Sequence, residues 1–250
     1  MRKDITNIIN TTPRQHSNDW YRARLGHFTG SQVGRLMKRG RAKDAEWSDD
    51  AITYIKEVVA ERLLNPAVIA VPELFDQYLD YSVSGSKATA WGNDNEMNAL
   101  GAYTSLTKQK ITKCGALPNE QLDCLWDSPD GLLLDADGCV EVKCPATIKT
   151  HLEYVLNVHK AEDLLTLKKS GAEYYWQVIT HLANTGAKFC DWFSYCPFVK
   201  PSLHLIRIER DEAVIEQLLE RVAKAEDIAK KMVAEAQRDM IPRLVVQNVA

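Results

Sequence analysis

Between Ser128 and Pro145 the chain reads SPDGLLLDADGCVEVKCP, and this stretch restricts the possible folds more than any other. Two turn-forming clusters, Ser128-Pro129-Asp130-Gly131 and Asp135-Ala136-Asp137-Gly138, bracket short apolar runs. Asp-Gly between apolar segments is a strong hairpin signal. The spacing therefore predicts strands over 132–135 and 139–144 joined by a tight turn. Strand alternation places Glu141 and Lys143 on one face, with Val140, Val142 and Cys144 on the other. Because the hairpin returns the chain beside the segment carrying Asp130, two carboxylates and one lysine converge on a single patch.

Around this hairpin the pattern is helical first and mostly β-like afterwards. Short helices are expected over 18–24 and 30–38. A longer one over 48–64 is opened by Ser48, with Asp49 and Asp50 in its first turn. Residues 66–86, with Pro66, Pro72 and Gly85, read as an irregular connection, and 91–104 as a helix. Further strands are expected at 111–117, 123–126, 189–195 and 203–209. An apolar helix is expected over 173–185, and a final helix over about 211–238 carries an apolar stripe that serves core or subunit packing. No internal repeat or Pro, Gly or Ser-rich linker divides the chain. The expectation is one α+β domain over residues 1–250, with N-terminal helices, a central mixed sheet flanked by helices and a C-terminal helix.

The 250 residues carry a formal net charge of -3 with 45% hydrophobic residues, the proportions of an ordinary globular protein. No apolar run reaches the roughly 18 residues of a membrane span, and the N-terminus lacks a signal-peptide apolar stretch, so a cytoplasmic protein is expected. Near-neutral charge argues against a protein that coats nucleic acid through bulk basicity. The distribution is nonetheless uneven: residues 1–43 hold ten basic against two acidic residues, and the remainder 21 against 32. That asymmetry suits a protein gripping a polyanion at one end of an acidic body, and equally a solvated surface with an excess of arginine. The six cysteines form no Cys-x-x-Cys pair and read as reduced, mostly buried small hydrophobes, which disfavours zinc.

The chemistry that uses two carboxylates and a lysine is metal-assisted phosphodiester hydrolysis. Hard oxygen ligands suit Mg²⁺, which binds phosphate oxygens and activates water. A lysine beside that water orients it, and both metal and desolvation lower the lysine pKa. Asp-x(10)-Glu-x-Lys alone is too loose to decide against a surface hairpin whose Glu and Lys form a weak ion pair.

Other words in the sequence decide it. Pro-Asp-x(10)-Glu-x-Lys on a hairpin resembles the signature of the PD-(D/E)xK nucleases, with their restriction-endonuclease-like core. Trp20-x(3)-Arg24-x-Gly26-x(2)-Thr29-x-Ser31, Ala90-Trp91-Gly92-x(3)-Glu96, Ser128-Pro-Asp-Gly, Glu141-Val-Lys-Cys-Pro and Tyr174-x(2)-Gln177-Val178 resemble, in that order, the phage-lambda-type exonucleases, also called YqaJ-like viral recombinases. The resemblance runs from residue 20 to about 198. It implies that Asp130, Glu141 and the Val142 carbonyl hold Mg²⁺, one or two ions per site with Mn²⁺ able to substitute. Lys143 then positions the attacking water, Glu96 adds a carboxylate and Gln177 lines the site. It also implies that Arg24, Ser31 and Ser128 hold a 5′-phosphate at a DNA end. Lysine stands at Lys149 where lambda-like members have arginine, keeping the charge and losing the bidentate fork.

The implied activity is Mg²⁺-dependent 5′→3′ digestion of linear duplex DNA, leaving 3′ single strands for recombination. A homotrimeric ring, a single-strand annealing partner and a phage or prophage origin in a bacterial host come with the resemblance. The rival readings are another nuclease of the superfamily, either an endonuclease or a CRISPR-associated exonuclease, and a catalytically silent DNA-end-binding protein. His181 is expected to be a satisfied core or rim histidine, and Trp20 and Trp91 to be core anchors.

Overall fold

The computed structural model describes residues 1–240 apart from 3, 41–44, 83–85 and 169. Lys3, Arg41 and Lys43 of the basic segment, and Gly85 of the connection, lie outside the described residues. The chain opens with α1 (Ile5–Thr11), α2 (Asn18–Arg24), the short strand β1 (Phe28–Thr29) and α3 (Gly30–Val33). Next come α4 (Asp49–Arg62), α5 (Pro66–Ala70), α6 (Pro72–Ser82) and α7 (Lys87–Thr107). The strands β2 (Leu117–Pro118), β3 (Leu125–Asp127), β4 (Gly131–Leu133) and β5 (Gly138–Lys143) follow, then α8 (Ile148–Asn157), α9 (Ala161–Thr166) and α10 (Gly171–Thr185). β6 (Phe189–Tyr195), β7 (Leu203–Glu209) and α11 (Glu212–Asp239) complete the order.

The α+β expectation holds, with two sheets in place of one. The larger has the order β4-β5-β6-β7, and only its β5–β6 pair is parallel. That pairing follows from the crossover through α8, α9 and α10, since parallel neighbours need a long connection. The smaller has the order β1-β3-β2. β4 and β5 form the expected hairpin, turning through Asp137 at φ 54°, a conformation that aspartate tolerates better than most residues.

One face of the larger sheet, with Leu132, Cys139, Cys190, Trp192, Ile206 and Ile208, packs in the main core with α4, α10 and α11. The opposite face, with Val140, Val142 and Phe193, is covered by Ala99, Leu100 and Tyr103 of α7. The alternation read from the hairpin is therefore a division between two helical layers. α10 supports the site directly, and its approach to α3 needs Gly34, where an added Cβ would stand 2.7 Å from the Cα of Glu173.

Three expectations are corrected. Residues 66–82 are helical, because Pro66 and Pro72 open α5 and α6 at the one helical position where a missing N–H costs nothing. Residues 111–117 do not form a strand. Thr112 makes one bridge to Leu132, and only Leu117 pairs within a strand, while Cys114, Ala116 and Leu117 are buried. The helix expected over 30–38 is cut to Gly30–Val33 followed by turns. No helix among the described residues is long and apolar enough to cross a membrane.

Candidate active site

A cavity of about 760 Å³ opens at the end of the β4–β5 hairpin, and its walls bring together most of the predicted residues. Asp130, Glu141, Val142 and Lys143 line one side, Glu96 comes from α7 and Gln177 from α10, and Arg24, Ser31 and Ser128 line the same hollow. Lys149 is not brought to it: that side chain is exposed in the first turn of α8, while Thr147 and Thr150 face the cavity.

The triplet of Asp130, Glu141 and Lys143 is tightly bonded. Asp130 Oδ2 accepts the backbone N–H of Val142 at 2.7 Å, which ties the turn to the strand. Within a strand a residue's N–H and C=O leave the same edge, so the Val142 carbonyl lies on the Asp130 side. Lys143 Nζ donates to Glu141 Oε1 at 2.5 Å and to Gln177 Oε1 at 2.9 Å. Its ammonium also stands 4.5 Å from the centre of the Tyr174 ring. The half-buried amide of Gln177 thus finds its partner in Lys143. Glu96 is ion-paired with Lys113 across the cavity rim.

The charges differ sharply in their environments. Burial, then the neighbouring Glu141 and Glu96, push the Asp130 carboxyl well above the usual range. Burial acts the same way on Glu141, but Lys143 and His181 outweigh it and hold that carboxyl low. Lys143 departs from expectation: burial lowers it, yet Glu141, Tyr174 and Asp130 reverse the sign and raise it. Without a metal the lysine is held as an ammonium counter-ion.

These residues suit a hard divalent cation. Asp130 is a half-buried carboxylate beside Glu141 and Glu96, whose charges Lys143 and the Val142 N–H offset only in part, and a cation at that point would relieve the repulsion. Among the described residues no three His, Cys, Asp or Glu side chains close around one point. A donor set here would be one or two carboxylates with a carbonyl, which would suit Mg²⁺ with its several waters.

In the same cavity Arg24 lies in the field of Asp127 and Glu61 but contacts neither. No hydrogen bond or ion pair holds its guanidinium among the described residues, and burial pulls it below its usual range. It lies 4.0 Å over the ring of Trp20, whose Nε1 donates to Ser128 Oγ at 2.9 Å. Trp20 is buried as expected, but it also braces two members of the expected phosphate pocket. The signal was available, since Trp20 and Arg24 are one turn apart on α2.

His181 is a buried core histidine, as expected, with carboxylates on both sides: Asp127 at 2.6 Å from Nδ1 and Glu141 at 2.8 Å from Nε2. Burial opposes its charge, but Asp127 and Glu141 raise it well above its ordinary value. Asp127 and Lys113 are site neighbours that sequence reasoning missed, because neither stands at a spacing that links it to the triplet, while Tyr174 stood in the word with Gln177 and was given no role.

A mixed sheet with this helical cover is a nuclease fold, shared with solved exonucleases. The chain belongs to the family of the YqaJ-like viral recombinase domain, whose model matches residues 19–188. An alkaline exonuclease from Laribacter hongkongensis, LHK-Exo, is similar at 25% identity and a TM-score of 0.69, covering 89% of this chain and 97% of that one. The same enzyme in complex with dAMP matches at 26% identity and a TM-score of 0.69, with the same coverage. A phage-related exonuclease from Haemophilus somnus 129PT shares the fold at 15% identity, a TM-score of 0.61, and 84% and 96% coverage. No curated protein sequence matches the chain.

Proposed function

We propose that this protein is a Mg²⁺-dependent 5′→3′ exonuclease of linear duplex DNA, with Mn²⁺ able to replace Mg²⁺, that leaves 3′ single strands for recombination by annealing. The observation that carries this reading is the single cavity lined by the carboxylates Asp130 and Glu141 together with Arg24, Ser31 and Ser128. Family membership and the alkaline exonucleases of like fold support the same reading.

Asp130, Glu141, the Val142 carbonyl and, at a second position, Glu96 would hold the ion. When bound it supplies charge neutralisation at phosphorus and a more acidic water. Lys143, anchored by Gln177, orients that water toward the scissile phosphorus. The water oxygen bonds to phosphorus, the bond to the 3′-oxygen of the terminal nucleotide breaks, and a 5′-mononucleotide leaves. The shortened strand ends in a new 5′-phosphate, the group that Arg24 is built to receive with its bidentate fork. Each product end is thereby the next substrate end.

The family resemblance further supports a single nuclease domain over 1–250, a homotrimeric ring around the DNA, a single-strand annealing partner, and action in the cytoplasm of a bacterial host. The deciding experiment is digestion of linear and circular duplex, each strand end-labelled, with and without Mg²⁺. Mg²⁺-dependent loss of the 5′ label from linear duplex alone is expected. Cutting of circles would make the protein an endonuclease, and binding of ends without digestion would make it a silent end-binder.

A further inference from the structure

Helix α10 carries a buried histidine that the nuclease triplet does not account for. His181 lies one turn beyond Gln177 and is fully enclosed, with Asp127 and Glu141 side chains only 2% and 3% exposed on either side of it. A neutral imidazole offers one donor and one acceptor nitrogen. Here each nitrogen faces a carboxylate oxygen, so the ring is placed to donate in both directions. The outer carboxylate has a prepared seat: Asp127 ends β3, and its Oδ1 occupies the space where a Cβ at Gly30 would stand.

The consequence falls on Glu141. Its Oε2 is taken from the core side by His181, and its Oε1 is directed to the cavity side, where Lys143 holds it. A terminal carboxylate torsion is otherwise broad. Mg²⁺ demands near-octahedral geometry, so a ligand free to rotate or to chelate with both oxygens binds it poorly.

We propose that Asp127 and His181 form a positioning pair for Glu141, pinning one of its oxygens in the core so that a single oxygen is presented to the metal position. The proposal rests on the reading of Glu141 as a metal ligand. His181 touches neither DNA nor the ion, and acts through the carboxylate. Partners of this kind are worth about 10–100-fold in metal affinity or activity.

The test separates the two ring nitrogens. In His181→Gln the amide reaches the position of Nε2 and keeps a donor on Glu141, whereas in His181→Asn it stands near Nδ1 and faces Asp127 alone. Mn²⁺ binding to the DNA-free protein is measured by electron paramagnetic resonance of the free ion, alongside thermal unfolding and digestion rate. H181N is expected to weaken Mn²⁺ binding about 10–100-fold, with H181Q recovering most of that loss. A histidine that only fills the core would instead give losses that follow the melting temperature. Wild-type Mn²⁺ affinity in H181N, or equal weakness in both variants, overturns the proposal. If H181N does not unfold cooperatively, Asp127→Asn replaces it; weakened Mn²⁺ binding is expected there, and unchanged affinity overturns the pair. Glu141→Gln is the control. Should it bind Mn²⁺ like the wild type, the ligand reading of Glu141 fails first, whereas weak binding there with unaffected His181 and Asp127 variants defeats only the pair.

Discussion

Arg24 shows what a short sequence word can and cannot reveal. Its place one turn after Trp20 was legible, and that spacing already offered the bracing, but the bond from Trp20 to Ser128 was not legible. The guanidinium rests on Trp20, which also bonds Ser128. Removing the guanidinium deletes charged hydrogen bonds to a bound phosphate, each worth about 1.5–3 kcal/mol. Arg24→Ala is therefore expected to weaken binding of 5′-phosphorylated duplex ends about 10–100-fold while leaving 5′-hydroxyl ends nearly unchanged, as competition binding would show. Equal weakening of both ends would place the phosphate pocket elsewhere. His181 and Asp127 mark the opposite limit: a histidine in an apolar helix and an aspartate at a strand end are separated by more than fifty positions, and no local pattern joins them.

At the scale of elements, the hairpin and the long helices were legible because turn chemistry and 3.6-residue periodicity are local properties. Helices α5 and α6 were missed because proline stops a helix from inside and starts one from its first turn. The run 111–117 misled for another reason: apolar residues report burial, and burial was met without strand pairing. The packing of α3 against α10 was invisible for the same reason. Gly34→Ala would force the Glu173 backbone away and is expected to cost about 1–3 kcal/mol. At about 2–4 °C per kcal/mol for a chain of this size, scanning calorimetry reads that directly. Because α10 also carries Gln177 and His181, digestion should fall with stability. An unchanged melting temperature would show that the helices yield without cost.

Over the whole molecule, the charge asymmetry was real but mostly internal. Among the described residues Arg2, Arg22, Arg35 and Lys38 are each ion-paired with aspartate or glutamate, while Arg24 lines the cavity with no ion pair. Asp130, beside Glu141 and Glu96, has the reverse imbalance, and this links stability to the ion. A cation bound only by the folded state stabilises it by about 2.7 kcal/mol at a hundredfold excess over Kd. Saturating Mn²⁺ should therefore raise the melting temperature by about 5–10 °C. Asp130→Asn removes a half-buried carboxylate that is repelled by Glu141 and Glu96. The variant is expected to melt above the wild type without metal, to lose most of the Mn²⁺ response, and to digest DNA at least about a thousandfold more slowly, the several kcal/mol an ion supplies. A wild-type Mn²⁺ response in the variant would remove Asp130 from the ligand set. The sequence alone determined the hairpin, the two faces of β5 and the closeness of Asp130, Glu141 and Lys143, since these depend on neighbours a few residues apart. Only the tertiary structure decided which charges are neutralised, which oxygen of Glu141 faces the cavity and what holds the other. Those outcomes depend on contacts between distant segments in a low-dielectric interior, where each unpaired group must find its partner.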